Sequence, residues 1–281
     1  MAVRWLASAL VALLVAATAG CGDDAQAPSI AVGSAPDPDA TVIAHLYAAA
    51  LRYYGSPAHV EAEPDPLTSL DAGDVRVVPG FTGQLLDRFM PDATARSPAQ
   101  VYRDLLSALP EGIAAGDYTM SAEDKPALLV TEATTDAWGG RDVTAAVHHC
   151  DELRVGHVVD EPGPAALGTC EIPASREFPD SATMFAAVQA GQINAGWTTT
   201  AATGIPPELL TLSDKTSLIR AENLVPLYRR NTLNERQVLA LNEIAGVLDT
   251  AALAQMRADV ADGQDPGHVA DAFLAEHPLG V

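Results

Sequence analysis

Basic residues are scarce in this sequence of 281 residues. It contains 16 lysines and arginines against 37 aspartates and glutamates, which gives a formal net charge of −21. A surface this acidic repels phosphate backbones and anionic lipid surfaces, so the composition argues against nucleic acid as a partner. The same charge favours a cationic or zwitterionic ligand over an anionic one.

The sequence also lacks the short motifs that mark common enzyme classes. It has no glycine-rich phosphate loop and no G-x-S-x-G elbow, and its serines, histidines and aspartates show no triad spacing. One run, His148-His149-Cys150, could suggest a metal. Adjacent histidines on a helix point about 100° apart, however, and helical pairs that share an ion are four residues apart. We therefore predict no enzyme activity, no cofactor and no metal site.

Outside the N-terminus, no apolar run is long enough to span a membrane. At the N-terminus, Arg4 precedes an apolar stretch over residues 5–17, and Thr-Ala-Gly-Cys follows at residues 18–21. The apolar stretch is too short for a comfortable span, which indicates an export signal, and its end resembles a bacterial lipobox with Cys21 as the acylated residue. We expect residues 1–21 to be a lipoprotein signal segment and residues 22–28 a polar tether.

This signal predicts a protein held by its lipid alone on the extracytoplasmic face of the cell membrane. Ordinary secretion is the alternative. Export also bears on the two remaining cysteines, Cys150 and Cys170, because exported proteins commonly pair their thiols. We expect a disulfide between them, and two buried free thiols are the alternative.

The chain is organised around residues 67–83, LTSLDAGDVRVVPGFTG. A short helix ends at a glycine, a valine-rich strand follows, and Pro79-Gly80 stops the strand before Phe81 and Thr82. Ligands of open α/β sheets bind beyond the carboxyl ends of strands. Phe81 and Thr82 therefore lie where a ligand is expected.

A similar arrangement occurs over residues 185–199, FAAVQAGQINAGWTT. A helix again ends in Ala-Gly, a short strand is predicted at residues 192–195, and Trp197 follows with Thr198 and Thr199. Two such copies suggest two similar α/β lobes, each pointing an aromatic ring into one cleft. Chance recurrence in an alanine-rich chain is the alternative.

Strands alternate with helices along most of the chain, which indicates an α/β fold, and the tail after residue 234 reads as helix only. A two-lobed α/β chain with a helical tail suggests a hinged binding protein. We expect lobe 1 to contain residues 29–130 and 226–281, and lobe 2 to contain residues 131–225.

Five stretches carry a resemblance to a known family: IAVGS with VIAHLYAAAL, LDAGDVRVVPGFTG, ALLVTEAT, and the segments at residues 209–233 and 240–274. In this order and spacing the chain resembles the substrate-binding proteins of ABC importers for glycine betaine, choline and related osmoprotectants. The resemblance implies the type II periplasmic binding protein fold, in which two lobes close about a hinge over a solute. It also implies a monomer that delivers a small zwitterionic or cationic solute to ABC permease and ATPase subunits.

Members of that family hold quaternary ammonium groups against aromatic faces, because a methylated cation cannot donate strong hydrogen bonds. By the resemblance, Phe81 stands where the family has a cage tyrosine, and Trp197 is the aromatic of the second lobe. The polar contacts carried over are Thr82, Asp124, Thr198 and Thr199.

Aromatic residues amount to only 5% of the chain, which leaves few rings for a full cage. A second hypothesis therefore stands beside transport. In it, the fold persists in a surface lipoprotein that has lost transport and binds another small solute, or a protein or lipid partner.

Overall fold

The computed structural model describes residues 28–280, and these form two lobes, each built on a mixed five-stranded sheet. The predicted signal segment with Cys21, and the tether up to residue 27, lie outside the described residues. The two-lobed α/β fold with a helical tail is confirmed.

Strands and helices alternate one by one in the first part of the chain, and farther on they mostly follow one another in runs of two to four. In chain order the strands are β1 (Ile30–Ser34), β2 (Ala58–Ala62), β3 (Val77–Phe81), β4 (Ile113–Ala115), β5 (Pro126–Thr131), β6 (Val155–Val158), β7 (Ala166–Leu167), β8 (Cys170–Glu171), β9 (Arg176–Phe178), β10 (Ala195–Thr199), β11 (Leu209–Thr211) and β12 (Leu224–Arg229). The helices are α1 (Pro38–Tyr53), α2 (Pro66–Ala72), α3 (Thr82–Phe89), α4 (Pro98–Ala108), α5 (Glu132–Trp138), α6 (Val143–His148), α7 (Ser181–Gln189), α8 (Glu235–Val247), α9 (Thr250–Ala261) and α10 (Pro266–Glu276).

Aspartate starts most of these helices. In six of them an aspartate side chain accepts a hydrogen bond from a backbone N–H of the first turn: Asp37 in α1, Asp65 in α2, Asp142 in α6, Asp180 in α7, Asp249 in α9 and Asp265 in α10. These carboxylates satisfy N–H groups that have no partner inside the helix, and their charge suits the helix N-terminus. Part of the chain's acidity is therefore structural.

The first lobe is a sheet in the order β2-β1-β3-β12-β4, covered by helices on both faces. β1, β2 and β3 run parallel, and β12 returns antiparallel between β3 and β4. One face packs on α1 and the tail helices α8, α9 and α10, and the other face packs on α2, α3 and α4. Because α1 lies between the sheet and the tail, it is buried along most of its length.

The second lobe is a sheet in the order β11-β5-β10-β6-β9. One core includes α6 and the region around the β7-β8 hairpin, and a second core includes α7. Cys150 and Cys170 are joined by a disulfide that ties the turn after α6 to β8.

The chain crosses between the lobes at residues 116–125, the first crossing segment, and at residues 212–223, the second crossing segment. The expected boundary at residue 130 would leave most of β5 in lobe 1, but β5 pairs with β10 and β11 inside the second sheet. The expected boundary at residue 226 would leave Leu224 and Val225 in lobe 2, but both pair with β3. A short apolar run predicts a strand without showing which sheet it joins, so both boundaries require correction.

In the described part of the chain, no single helix has the length and apolarity to cross a membrane. The pair α8 and α9 passes that test only when joined, and it bends by 99° between the two helices.

Candidate functional site

The two crossing segments meet at the carboxyl end of β3 through three buried side chains, Thr82, Thr119 and Asn223, which we call the crossing cluster. The Asn223 amide nitrogen donates to the backbone oxygens of Thr119 and Ala122, at 2.9 and 3.3 Å. The Thr119 hydroxyl oxygen accepts from the Leu224 N–H at 3.0 Å. Since buried polar groups are costly when unpaired, these bonds hold both crossing segments against the first sheet.

Thr82 belongs to this cluster and not to a solute pocket. Its hydroxyl oxygen accepts from the Asn223 N–H at 3.1 Å, and its own N–H donates to the Asn223 backbone oxygen at 2.9 Å. The side chain is fully buried. The expectation that Thr82 offers a hydroxyl to a ligand is therefore corrected, because its bonds with Asn223 join β3 to β12.

Phe81, one residue earlier, lines a cavity of about 480 Å³, the first-lobe cavity. Its walls come from the ends of β1 and β3 and the starts of α1, α2 and α3, together with Asp124 of the first crossing segment and Arg257 of α9. The carboxyl ends of two parallel strands thus open into it, as expected for a ligand site in an α/β sheet.

The back of the first-lobe cavity holds a buried ion pair. Arg257, only 8% exposed, places Nη1 2.7 Å from Asp124 Oδ2, and its Nε lies 3.4 Å from Asp39 Oδ2. The guanidinium carbon lies 5.8 Å from the centre of the Phe81 ring, which is within cation–π range. One protein cation therefore already interacts with this ring.

Two atoms of this ion pair are unsatisfied. Asp124 Oδ1 and Arg257 Nε are buried and have no hydrogen-bond partner among residues 28–280. Partial burial raises the pKa of the Asp39 carboxyl above its ordinary value, and the Arg257 guanidinium opposes that rise. Both unsatisfied atoms are enclosed by the surrounding protein, so a solute in the cavity does not reach them in this arrangement.

A second cavity of about 340 Å³ lies between the lobes, and we call it the interlobe cavity. It shares no lining residue with the first-lobe cavity. Its lining residues come from the first lobe, the second crossing segment and the second lobe: Asp87, Arg96, Pro126, Pro162, Gly163, Pro164, Ala166, Leu218, Ile219, Arg220 and Glu222.

Glu222 is the buried charge of the interlobe cavity. Its Oε2 accepts from the N–H groups of Gly83 and Gln84, at 2.9 and 3.0 Å, and so caps α3, whose N-cap residue Phe81 offers no side-chain cap. Burial raises the pKa of the Glu222 carboxyl from 4.5 to about 7, and the two backbone N–H groups oppose that rise. A Cβ at position 83 would overlap Oε1 of Glu222, so this capping contact requires glycine there.

Trp197 does not meet Phe81 across a cleft in this structure. The expected strand at residues 192–195 would leave Trp197 beyond its end, but β10 begins at Ala195, so Trp197 lies inside the strand. Its side chain is 4% exposed and packs in the second-lobe core with Leu128 and Val155. The expectation of two facing rings is corrected, because the later start of the strand puts the indole into the core.

Gly163 also covers the Trp197 ring. A Cβ at position 163 would overlap the five-membered ring of the indole, so the backbone of the Pro162–Gly163–Pro164 loop rests directly on it. Thr198 and Thr199 are half-buried residues of β10 whose backbone pairs with Ala127 and Pro126, and neither lines a cavity described above.

Several residues of the site carried no signal in the sequence. Thr200, which follows the two threonines named from sequence, bonds to the first crossing segment through the Glu123 backbone oxygen and the Lys125 N–H. Arg257 falls inside a segment read as helix and Glu222 just before a segment read as strand, and neither charge stood out. Within residues 28–280, no group of three or more His, Cys, Asp or Glu side chains could hold a metal ion.

A family model for the substrate-binding domain of ABC-type glycine betaine transport systems matches residues 28–276. A solved glycine betaine/carnitine/choline ABC transporter structure is 14% identical and covers 89% of this chain and 98% of its own, with a TM-score of 0.74. Apo YehZ from Escherichia coli is 17% identical over 90% of this chain and 99% of its own, with a TM-score of 0.71. An ABC-transporter choline binding protein in complex with choline is 18% identical over 89% of both chains, with a TM-score of 0.54. At these identities the likeness shows the fold, and no curated protein matches the chain in sequence.

The contact between Gly163 and Trp197 can be tested with Gly163→Ala. The added methyl group must displace the loop, so we expect the tryptophan emission to shift to longer wavelength and the free energy of unfolding to fall by about 1–3 kcal/mol. Gly246→Ala is the matched control, because a Cβ there meets no atom within 4 Å. An unchanged emission maximum in Gly163→Ala would show that the loop does not rest on the indole.

The raised pKa of Glu222 makes stability depend on pH. The folded protein holds this proton more tightly than the unfolded chain, so the carboxyl adds stability that is complete below about pH 4.5 and is lost as the pH rises through about 7. Between pH 4.5 and 8, we expect the unfolding free energy of the wild type to fall by about 3 kcal/mol relative to Glu222→Gln. Urea titrations at several pH values measure this difference, and the exposed Glu111→Gln serves as control. Parallel pH curves for the wild type and Glu222→Gln would contradict it.

Proposed function

Because the chain belongs to the family of substrate-binding domains of ABC-type glycine betaine transport systems, we propose that it captures a quaternary-ammonium solute and delivers it to an ABC permease. The family consists of solute-binding components of importers rather than enzymes. The solute, the lipid anchor at Cys21 and the extracytoplasmic location are part of the proposal.

The observation that carries the proposal is the position of Phe81 in the first-lobe cavity. The cavity lining has four carboxylates and two guanidinium groups: Asp37, Asp39, Asp65, Asp124, Arg88 and Arg257. The excess of negative charge favours a cation, and a ring face contributes about 0.5–2 kcal/mol to holding one. Methyl groups on the cation suit the apolar walls that Pro79 and Leu85 contribute.

Delivery requires that the bound form differ from the free form. Two chain crossings held by the crossing cluster join the lobes, and closure about such a hinge is the usual response of two-lobed binders. A solute held on the first lobe at Phe81 would be covered when the second lobe approaches. The closed form would then be the one that docks on the permease.

The second hypothesis, a surface lipoprotein that has lost transport, is favoured by one pair of contacts. Arg257 stands over Phe81 and Gly163 lies on Trp197, so protein groups already contact the faces of both rings named from sequence. A thermal-shift screen with glycine betaine, choline, carnitine, proline betaine and ectoine separates the two hypotheses. Stabilisation by one of these solutes supports transport, and no stabilisation by any of them supports the second hypothesis.

We expect Phe81→Leu to weaken binding of the stabilising solute by at least tenfold in titration calorimetry. Leucine keeps the apolar volume and removes the ring face, so the loss reports the cation–π contact. Tyr53→Leu is the control, because Tyr53 is 52% exposed on α1 and does not line the first-lobe cavity. Equal affinity of Phe81→Leu and the wild type would place the solute elsewhere.

A further inference from the structure

We propose that a pocket beside α5 in the second lobe, the α5 pocket, binds an uncharged saccharide ring and that Trp138 is its aromatic platform. The inference goes beyond the proposed function, because that function places its solute in the first-lobe cavity. The α5 pocket has a volume of about 590 Å³ and shares no lining residue with the two cavities described above. Its lining residues are Ala133, Thr134, Ala137, Trp138, Asp151, Glu152, Leu153, Arg154 and Asn194.

The position of the α5 pocket separates it from the lobe interface. Arg154 immediately precedes β6 and Asn194 immediately precedes β10, so both lie where these parallel strands begin. At the other end of the same strands, the chain after β6 leads to Pro162 of the interlobe cavity, and Thr200 after β10 bonds to the first crossing segment. The α5 pocket therefore lies at the opposite end of the second sheet from the lobe interface.

α5 supplies the platform. Ala133 and Ala137 are four residues apart on this helix, so they lie on one face of it, and both are exposed. Trp138 is half-buried, packs against the second-lobe core and stacks on the His149 ring, with an angle of 14° between the ring planes. Because the alanine side chains are small, they leave room beside an indole that is already held in place. Such an indole offers apolar surface to the C–H groups of a sugar ring at little cost in side-chain entropy.

The polar part of the lining has unused hydrogen-bonding capacity. The side chains of Asp151 and Arg154 are exposed, and neither forms a hydrogen bond or ion pair with another of residues 28–280. Asn194 accepts at Oδ1 from the Arg154 N–H and donates from Nδ2 to the Glu152 backbone oxygen, both at 2.8 Å. These bonds fix the amide and leave one of its N–H groups free. Planar groups with paired donors or acceptors match the neighbouring hydroxyls of a saccharide.

The charges in this lining balance, in contrast to those of the first-lobe cavity. Glu152 places Oε1 3.2 Å from His149 Nδ1, so its carboxylate already has a partner in the protein. One carboxylate, of Asp151, and one guanidinium, of Arg154, then remain. An ion of either sign would meet a like charge as well as an opposite one, whereas a hydroxyl can donate to the first group and accept from the second. A small zwitterion is the competing occupant, and the experiment includes it.

Saturation-transfer NMR on the full chain tests the site. The probes are three methyl β-D-pyranosides: the glucoside, the galactoside and the N-acetylglucosaminide. Each ring has C–H groups on its faces and hydroxyls around its edge, which matches an aromatic platform with a polar rim. We expect saturation to pass from the protein to the ring C–H protons of at least one probe.

Ala137→Gln should abolish this transfer, because the longer side chain fills the space beside Trp138. The change leaves the fold intact, since residue 137 is exposed and glutamine is a good helix former. Asp136→Gln is the matched control, because Asp136 is exposed on the same helix and does not line the pocket.

Arg154→Gln should weaken binding of the same probe by about fivefold, the usual contribution of one hydrogen bond. Arg103→Gln, an exposed change on α4 of the first lobe, should leave the affinity unchanged. Both affinities can be measured by following the transfer as the probe is titrated.

Competition separates this inference from the proposed function. An excess of glycine betaine should leave the transfer to the saccharide unchanged, since the two ligands are proposed to occupy different cavities. Displacement of the saccharide by glycine betaine would show a shared site and overturn the inference. No transfer to any of the three probes, or equal transfer with the wild type and Ala137→Gln, would also overturn it. Neither result changes what titration of Phe81→Leu shows about the first-lobe cavity.

Discussion

The crossing cluster of Thr82, Thr119 and Asn223 is the constraint on which the two-lobed arrangement depends. Each of its side chains is buried, and each bonds to the backbone of a different segment. Breaking one of these bonds would leave a buried polar group unpaired, at a cost of about 1–3 kcal/mol. The cluster therefore fixes both chain crossings to the end of β3 in one geometry.

Both cavities follow from that geometry. Phe81, on one side of Thr82, enters the first-lobe cavity, and Gly83, on the other side, receives the carboxylate of Glu222 at the interlobe cavity. A short stretch of chain thus places an aromatic ring in one cavity and a helix N-terminus beside the other. Thr82 thus ties the crossings in place between these two positions, although no side chain of the crossing cluster lines either cavity.

The fold and the family could be predicted from the sequence because they depend on repeated local patterns: valine-rich strands, Asp-Pro helix starts and the order of elements. The site could be predicted only in part. The sequence pattern predicted that Trp197 lies beyond the end of a strand. In the structure β10 begins three residues later than predicted, so Trp197 lies within the strand and its side chain packs in the core. The pairing of Arg257 with Asp124 joins residues far apart in sequence, and no local pattern could indicate it. The role of Glu222 depends on burial, which a charged residue in a polar segment does not reveal.

Hydrogen exchange at the N–H groups of Asn223 and Leu224 tests the crossing cluster most directly. Both donate to threonine hydroxyls of the cluster and not to a backbone oxygen, so their protection depends on those side chains. We expect both amides to exchange only through global unfolding, as slowly as amides at the centre of the first sheet. Exchange as fast as at Met120, an exposed residue of the first crossing segment, would show that the crossings are not held in place and would contradict this description of the protein.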